Sequence, residues 1–134
     1  MSVRPATILL IIEDDEILLR ALHLLFHEEK YVISSATDGE SGLRLAERLK
    51  PNLILLDLLL PKMDGFAFLQ ALKANPALKK IPVIILSNLN GAETIARAKG
   101  LGAEDYFVKA NTDLKILAEK VKKIISSHAT TTMA

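Results

Sequence analysis

The chain has 134 residues, half of them hydrophobic, which is enough for one domain with a substantial core. Its 17 lysine and arginine residues nearly balance 16 aspartate and glutamate residues, so the net charge of +1 favours neither a nucleic-acid-binding nor a membrane-binding surface. The lack of cysteine excludes disulfides and thiolate sites, and the lack of a signal peptide or of an apolar stretch of ~20 residues leads us to expect a cytoplasmic protein.

Five short apolar runs alternate with longer segments of helical periodicity. Short runs that are apolar throughout are typical of strands buried on both faces of a parallel sheet. We predict strands over residues 8–12, 32–36, 53–56, 83–86 and 106–108. Strands that alternate with helices in this way predict an α/β domain with helices on both faces of the sheet.

Residues that favour turns stand where this alternation needs them. Pro51 and Pro82 precede the third and fourth strands, and Asp-Gly or Asn-Gly pairs precede the second, third and fourth helices. The last helix has an apolar stripe formed by Leu114, Leu117, Val121 and Ile124. We expect Thr112 or Asp113 to cap it and the chain to fray from Ser126 onward.

Polar side chains follow four of the predicted strands. These are the acidic run 13–16 after the first strand, Asp57 after the third, Ser87 after the fourth and Lys109 after the fifth. Ligands of open parallel sheets bind at the carboxyl ends of the strands, so these side chains are expected to meet. Crowded carboxylates repel one another unless a cation holds them, and Mg²⁺ prefers such oxygen ligands.

Each of these residues has an ordinary explanation when taken alone. Acidic residues complement the start of a helix, which is our interpretation of Asp15 and Glu16. A serine after a strand commonly forms a turn, and a lysine there is commonly solvated. Their joint placement instead predicts a site where a carboxylate attacks phosphorus, with catalysis by positioning and charge stabilisation.

The segments that carry these residues resemble the receiver domain of bacterial two-component response regulators. The similar segments are ILLIIEDDEILLR, LILLDLLLPKMDG, VIILSN and GAEDYFVK. The resemblance implies one receiver domain over residues 1–134, with a core at about 7–127 and flexible termini at 1–6 and 128–134. It also implies a doubly wound, flavodoxin-like (βα)5 fold whose five parallel strands are ordered 2-1-3-4-5.

The resemblance also assigns roles to residues. Asp57 would be the phosphoacceptor, Ser87 would bond a phosphoryl oxygen and Lys109 would pair with the phosphoryl group. Tyr106 would be the switch aromatic, an interpretation that we favour over the alternative of a half-buried residue on an edge strand. Mg²⁺ would be held by Glu13, Asp14, Asp57 and the backbone carbonyl of Leu59.

Two features of the sequence qualify this assignment. The family usually has a proline after the lysine, with a cis peptide bond, whereas Ala110 follows Lys109 here. Since a cis bond before a non-proline residue costs ~3 kcal/mol, we expect a trans bond or a mixture, with Lys109 still reaching the site. Leu59 and Leu89 could screen the acyl phosphate and slow its hydrolysis, or they could be exposed loop leucines that pack on a partner.

The expected protein is a signalling switch rather than an enzyme. A histidine kinase or phosphotransfer protein would donate the phosphoryl group, and a downstream protein would read the face of the fourth helix, fifth strand and fifth helix. That face would include Glu93, Arg97, Lys99, Tyr106 and Lys120. We expect a standalone receiver, with a fragment of a larger regulator as the alternative. We also expect a monomer or weak dimer that binds neither nucleic acid nor membrane.

Three alternatives compete with this interpretation. A haloacid-dehalogenase-type phosphatase needs a second aspartate two residues after the nucleophile, and position 59 is leucine. A flavin- or nucleotide-binding domain is disfavoured because the loop after the first strand is acidic and would repel phosphate. A receiver-like interaction module that is not phosphorylated stays open because of Ala110.

Overall fold

Each of the five apolar runs forms a strand, and a helix follows each strand. The computed structural model describes residues 5–132, with side chains up to residue 128. The elements are β1 (Ile8–Ile12), α1 (Glu16–His27), β2 (Val32–Ala36), α2 (Gly39–Leu49), β3 (Leu53–Leu56), α3 (Gly65–Ala74), β4 (Val83–Ser87), α4 (Ala92–Gly100), β5 (Asp105–Val108) and α5 (Leu114–Thr132). A short 3₁₀ turn, Lys109–Asn111, joins β5 to α5.

The predicted boundaries hold except at three ends. β4 includes Ser87 and β5 begins at Asp105, each one residue beyond its apolar run. The predicted fraying from Ser126 is wrong, because the backbone stays helical to Thr132. Residues 128–132 are helical, and their predicted flexibility stays a prediction. Residues 1–4 and 133–134 of the predicted termini lie outside the described part of the chain.

All strand pairings are parallel, and the strand order is β2-β1-β3-β4-β5, as predicted. The chain runs outward from β1 to β2 and then returns to place β3 on the other side of β1. The switch point of the sheet therefore lies between the carboxyl ends of β1 and β3, where open sheets of this kind bind ligands.

Successive residues of each strand point to opposite faces, so an apolar strand supplies two separate cores. In β1, Leu10 and Ile12 pack with α2, α3 and α4, whereas Leu9 and Ile11 pack with α1 and α5. The central strand β3 is fully buried on both faces. This explains why its sequence is continuously apolar rather than alternating.

Aspartates start four of the described helices. Asp15, Asp38 and Asp64 are the N-caps of α1, α2 and α3, and each carboxylate accepts hydrogen bonds from backbone N–H groups of the first turn. Asp113 caps α5 in the same way, since its Oδ1 accepts the Lys115 N–H at 2.8 Å. Of the two predicted caps for α5, Asp113 is therefore the one used.

None of the helices within residues 5–132 is both long enough and apolar enough to cross a bilayer.

Candidate functional site

The acidic residues predicted to meet lie at the switch point of the sheet. Glu13 and Asp14 directly follow β1, and Asp57 directly follows β3. The parallel ladder continues to these residues, because the Asp57 N–H donates to the Ile12 carbonyl at 3.0 Å and the Glu13 N–H donates to the Ala36 carbonyl at 3.0 Å. The backbone that carries the carboxylates is thus fixed by the sheet.

Three carboxylates converge in this place. Glu13, Asp14 and Asp57 each offer an oxygen, and these oxygens all lie within 4.8 Å of one another. Glu13 is 2% exposed and Asp57 is 4% exposed, whereas Asp14 is exposed. Glu13 and Asp57 are therefore the buried members of the cluster, and Asp14 is its solvent-facing member.

The Lys109 side chain extends from the end of β5 to the two buried carboxylates of the cluster. Its Nζ lies 2.8 Å from Glu13 Oε1 and 2.8 Å from Asp57 Oδ2. Burial alone would lower the pKa of Lys109, but the hydrogen bonds to Asp57 and Glu13, together with the negative charges of these carboxylates, outweigh burial and raise that pKa. Burial raises the pKa of the Glu13 carboxyl, and the bond from Lys109 offsets only part of this effect.

The second oxygen of each buried carboxylate also has a partner. Asp57 Oδ1 accepts the Leu59 N–H at 3.2 Å, and Glu13 Oε2 accepts the Asp15 N–H at 3.0 Å. Both carboxylates are therefore held in orientation by the backbone on one side and by Lys109 on the other.

The donor set fits a hard divalent cation. Oxygen ligands from a few carboxylates, with positions left for water and phosphate, are what Mg²⁺ prefers. When all three carboxylates are ionised, the single ammonium of Lys109 leaves two negative charges to be neutralised. The role predicted for the Leu59 carbonyl stays a prediction.

Gly65 lets α3 begin against the back of the site. A Cβ at position 65 would lie 2.5 Å from the Asp57 carbonyl oxygen and 2.6 Å from Leu58 Cα. The Gly65 N–H also donates to the Leu58 carbonyl at 3.0 Å. Asp64 thus caps α3, and the absence of a side chain at Gly65 allows the backbone of the Asp57 loop to pack against the start of this helix.

Ser87 and Tyr106 lie on the two strands beyond β3. Ser87 is fully buried at the end of β4, and its Oγ accepts the Leu89 N–H at 3.4 Å. The Tyr106 hydroxyl donates to the Leu89 carbonyl at 2.5 Å. Burial raises the pKa of Tyr106, and a hydrogen bond with Ser87 partly offsets this. The half-buried tyrosine is therefore joined to the β4–α4 loop.

The two loop leucines differ in their surroundings. Leu59 is 55% exposed beside the acidic cluster. Leu89 is partly buried and packs against the core that α2, α3 and α4 cover. The alternative in which both are exposed loop leucines is therefore wrong for Leu89.

The Lys109–Ala110 peptide bond is trans, the first of the two predicted outcomes, since residues 5–132 contain no cis peptide bond. Lys109 was predicted from the sequence, but its contact with Glu13 was not, because no local pattern pairs residues so far apart in the chain. The role of the Thr112 hydroxyl was not predicted either, since it donates to the Val108 carbonyl at 2.6 Å instead of capping α5. A hydroxyl four residues after that carbonyl was the available signal.

The sequence around this site matches a known protein family. The profile of the response regulator receiver domain matches residues 9–122. The chain belongs to this family. The receiver domain also has solved relatives: the signal receiver domain of a putative Luxo repressor protein from Vibrio parahaemolyticus superposes with a TM-score of 0.89 at 26% identity, covering 96% of this chain and 97% of that one.

Curated relatives contain similar receiver domains within longer chains. Response regulator PleD of Caulobacter vibrioides is 34% identical over 110 residues, which are 82% of this receiver domain and 24% of that protein. A protein-glutamate methylesterase/protein-glutamine glutaminase of Maricaulis maris is 43% identical over 114 residues, covering 82% of this chain and 28% of that protein. The chain spans about a quarter of the length of these relatives.

Proposed function

We propose that this receiver domain is phosphorylated on Asp57 and that the modification switches a protein-binding surface. The observation that carries the proposal is the position of Asp57, which is buried among two other carboxylates and paired with Lys109. A buried carboxylate beside a cation is a suitable nucleophile for phosphorus.

The donor would be a phosphohistidine on a histidine kinase or phosphotransfer protein. An Asp57 carboxylate oxygen would form the new O–P bond while the N–P bond of the phosphohistidine breaks and the imidazole leaves. Bound Mg²⁺ would offset the negative charge of the phosphoryl oxygens. The residues that would hold this ion are Glu13, Asp14 and Asp57. The Leu59 N–H, which already bonds Asp57 Oδ1, would keep the carboxylate in orientation.

Lys109 would change partners when the phosphoryl group arrives. In the structure its ammonium is shared between Glu13 and Asp57. Phosphorylation of Asp57 to an acyl phosphate removes a carboxylate charge and brings phosphoryl oxygens of greater charge within reach. The ammonium would then pair with the phosphoryl group, and Ser87 would bond another of its oxygens.

The signal would leave through the side of the domain that carries Tyr106. A movement of Ser87 towards the phosphoryl group would disturb the β4–α4 loop, to which the Tyr106 hydroxyl is bonded. Two further residues of this face have defined contacts. Lys120 Nζ of α5 lies 3.3 Å from Asp105 Oδ2 of β5, and Arg97 Cζ of α4 lies 4.0 Å from the centre of the Phe66 ring. A downstream protein would recognise the α4–β5–α5 face as a whole, with the receiver itself a monomer or weak dimer.

Acetyl phosphate with Mg²⁺ tests the proposal without knowledge of the kinase. We expect the intact mass of the full chain to rise by one phosphoryl group, in a reaction that chelation of Mg²⁺ abolishes. Asp57→Asn should remove the gain. Asp15→Asn is a matched control, because Asp15 is exposed beside the acidic pair but serves as a helix cap, and it should still be labelled. No mass gain in the unaltered chain would favour the interaction module that is not phosphorylated.

A further inference from the structure

The segment between β5 and α5 determines where the Lys109 side chain starts. Lys109 is the first residue of the 3₁₀ turn, directly after the last residue of β5. Its ammonium must nevertheless lie 2.8 Å from both Glu13 and Asp57. A lysine side chain has several rotatable bonds, so a defined origin in the backbone is needed to hold both contacts.

Thr112 bonds the backbone on both sides of Lys109. Its hydroxyl donates to the Val108 carbonyl at 2.6 Å, and its N–H donates to the Lys109 carbonyl at 3.4 Å. Val108 and Lys109 share a peptide plane, so holding the Val108 carbonyl sets the orientation of the Lys109 N–Cα bond. The hydroxyl thus acts on the backbone from which the lysine side chain departs.

The hydroxyl of Thr112 is not needed to start α5. Asp113 performs that task, with its Oδ1 on the Lys115 N–H at 2.8 Å and its carbonyl on the Leu117 N–H at 3.1 Å. Thr112 is half-buried and its Oγ1 is directed to the end of β5 instead. Asp113 therefore caps α5, while the neighbouring residue Thr112 tethers the end of β5.

We propose that Thr112 is a positioning residue whose hydroxyl, by holding the Val108 carbonyl, places Lys109 Nζ between Glu13 and Asp57. The effect on phosphorylation rests on the proposed function, whereas the effect on the Lys109 ammonium does not. Displacement of a reacting or stabilising group by about 1 Å can reduce a rate by roughly a hundredfold, so loss of one tether has a measurable consequence.

The first experiment observes the Lys109 ammonium directly by ¹⁵N NMR of the full chain. An ammonium held by two buried carboxylates exchanges slowly enough to be seen, and assignment uses Lys109→Met. Thr112→Val keeps the shape of the side chain and removes the hydroxyl, and we expect it to broaden the Lys109 signal. Thr112→Ser should restore the signal, and Thr94→Val on α4 should leave it unchanged.

The second experiment measures phosphorylation by acetyl phosphate in a double-mutant cycle. We expect Thr112→Val to slow phosphoryl uptake about tenfold in the unaltered chain and to have no further effect when Lys109 is already methionine. An equal effect in both backgrounds would show that Thr112 only stabilises the turn, and would overturn the proposal. Urea unfolding of each variant accompanies the cycle, with Thr112→Ala used if Thr112→Val does not fold.

Together, the NMR and phosphorylation experiments distinguish failure of the proposed function from failure of the proposed role of Thr112. If the unaltered chain takes up no phosphoryl group, the proposed function fails while the NMR arm still tests Thr112. If the unaltered chain is labelled but Thr112→Val has the same Lys109 signal and the same rate, the proposed function stands and the role of Thr112 is refuted.

Discussion

The backbone at Asp57 leaves no space for a side chain at position 65. A Cβ there would lie 2.5 Å from the Asp57 carbonyl oxygen and 2.6 Å from Leu58 Cα, and both neighbours are backbone atoms that cannot move independently. The requirement for glycine is therefore steric, and it couples the start of α3 to the position of the predicted phosphoacceptor.

Gly65→Ala should destabilise the domain by about 1–3 kcal/mol, the range for inserting an extra methyl group into a packed region. Urea unfolding measures this loss. Gly100→Ala is the control, because nothing lies within 4 Å of a Cβ at the end of α4, and we expect no loss of stability there. Equal stabilities of the two variants would show that the close approach to Asp57 is not a constraint.

Lys109 competes with any cation for the acidic cluster, since its ammonium contacts two of the three carboxylates. Lys109→Met should therefore bind Mg²⁺ more tightly, by about tenfold or more, because a full positive charge is removed beside the ligands. Titration calorimetry measures the affinity. Lys120→Met removes the same charge from the pair with Asp105, and it should leave the affinity unchanged. Equal affinities of the two variants would contradict the assignment of the cluster as the metal site.

At the scale of elements, helix starts were largely predictable because they depend on neighbouring residues. The Asp-Gly pairs before α2 and α3 mark their N-caps, and the acidic run after β1 supplies the cap of α1. The end of α5 was not predictable, since residues after Ser126 lack an apolar stripe. There His128 Nε2 lies 2.6 Å from Glu104 Oε1, a contact between residues far apart in the sequence.

The cap of α2 makes a pH-dependent contribution to stability. The Asp38 carboxylate accepts the Ser41 N–H at 2.8 Å and the Ser41 hydroxyl at 2.9 Å. The backbone bond is the main reason that the pKa of Asp38 lies below its ordinary value of 3.8. Since the folded state then binds fewer protons than the unfolded state, this stabilisation is complete above the unfolded-state pKa and is lost as the pH falls through the folded-state pKa.

Asp38→Asn keeps a hydrogen-bond acceptor but cannot ionise. We expect it to be less stable than the unaltered chain at neutral pH, with a difference that shrinks as the pH falls below 3.8. Urea midpoints measured across this range give the comparison, and Glu47→Gln, an exposed change on the same helix, should show no such convergence. Parallel pH profiles for Asp38→Asn and the unaltered chain would exclude this role of the cap.

For the whole molecule, the five apolar runs were sufficient to predict the two-sided core. Runs such as residues 53–56 have no polar position, so both faces of β3 must be covered. The strand order came from resemblance, because periodicity alone does not say which strands are neighbours. The contacts of Lys109 with Glu13 and of Tyr106 with the Leu89 carbonyl could not be predicted, since each depends on how distant loops approach one another.

Because the sheet separates the two cores, substitutions in different cores should have additive effects on the free energy of unfolding. Leu22 of α1 and Leu72 of α3 are fully buried in different clusters. Each change to alanine should cost about 2–5 kcal/mol, and the double variant should lose the sum to within about 0.5 kcal/mol. Chemical denaturation measures all three variants, with exposed Leu24→Ala as the control. A double variant far from the sum would indicate that the cores are coupled across the sheet.

The central claim is that Asp57 itself carries the phosphoryl group, and mapping of the modified residue tests it most directly. After reaction with acetyl phosphate and Mg²⁺, borohydride reduces an aspartyl phosphate to homoserine, which peptide mass spectrometry locates in the sequence. We predict homoserine at position 57, with Asp14, Asp15 and Asp64 unchanged. Homoserine at another aspartate, or a phosphoryl group that survives reduction on a hydroxyl residue, would contradict the account.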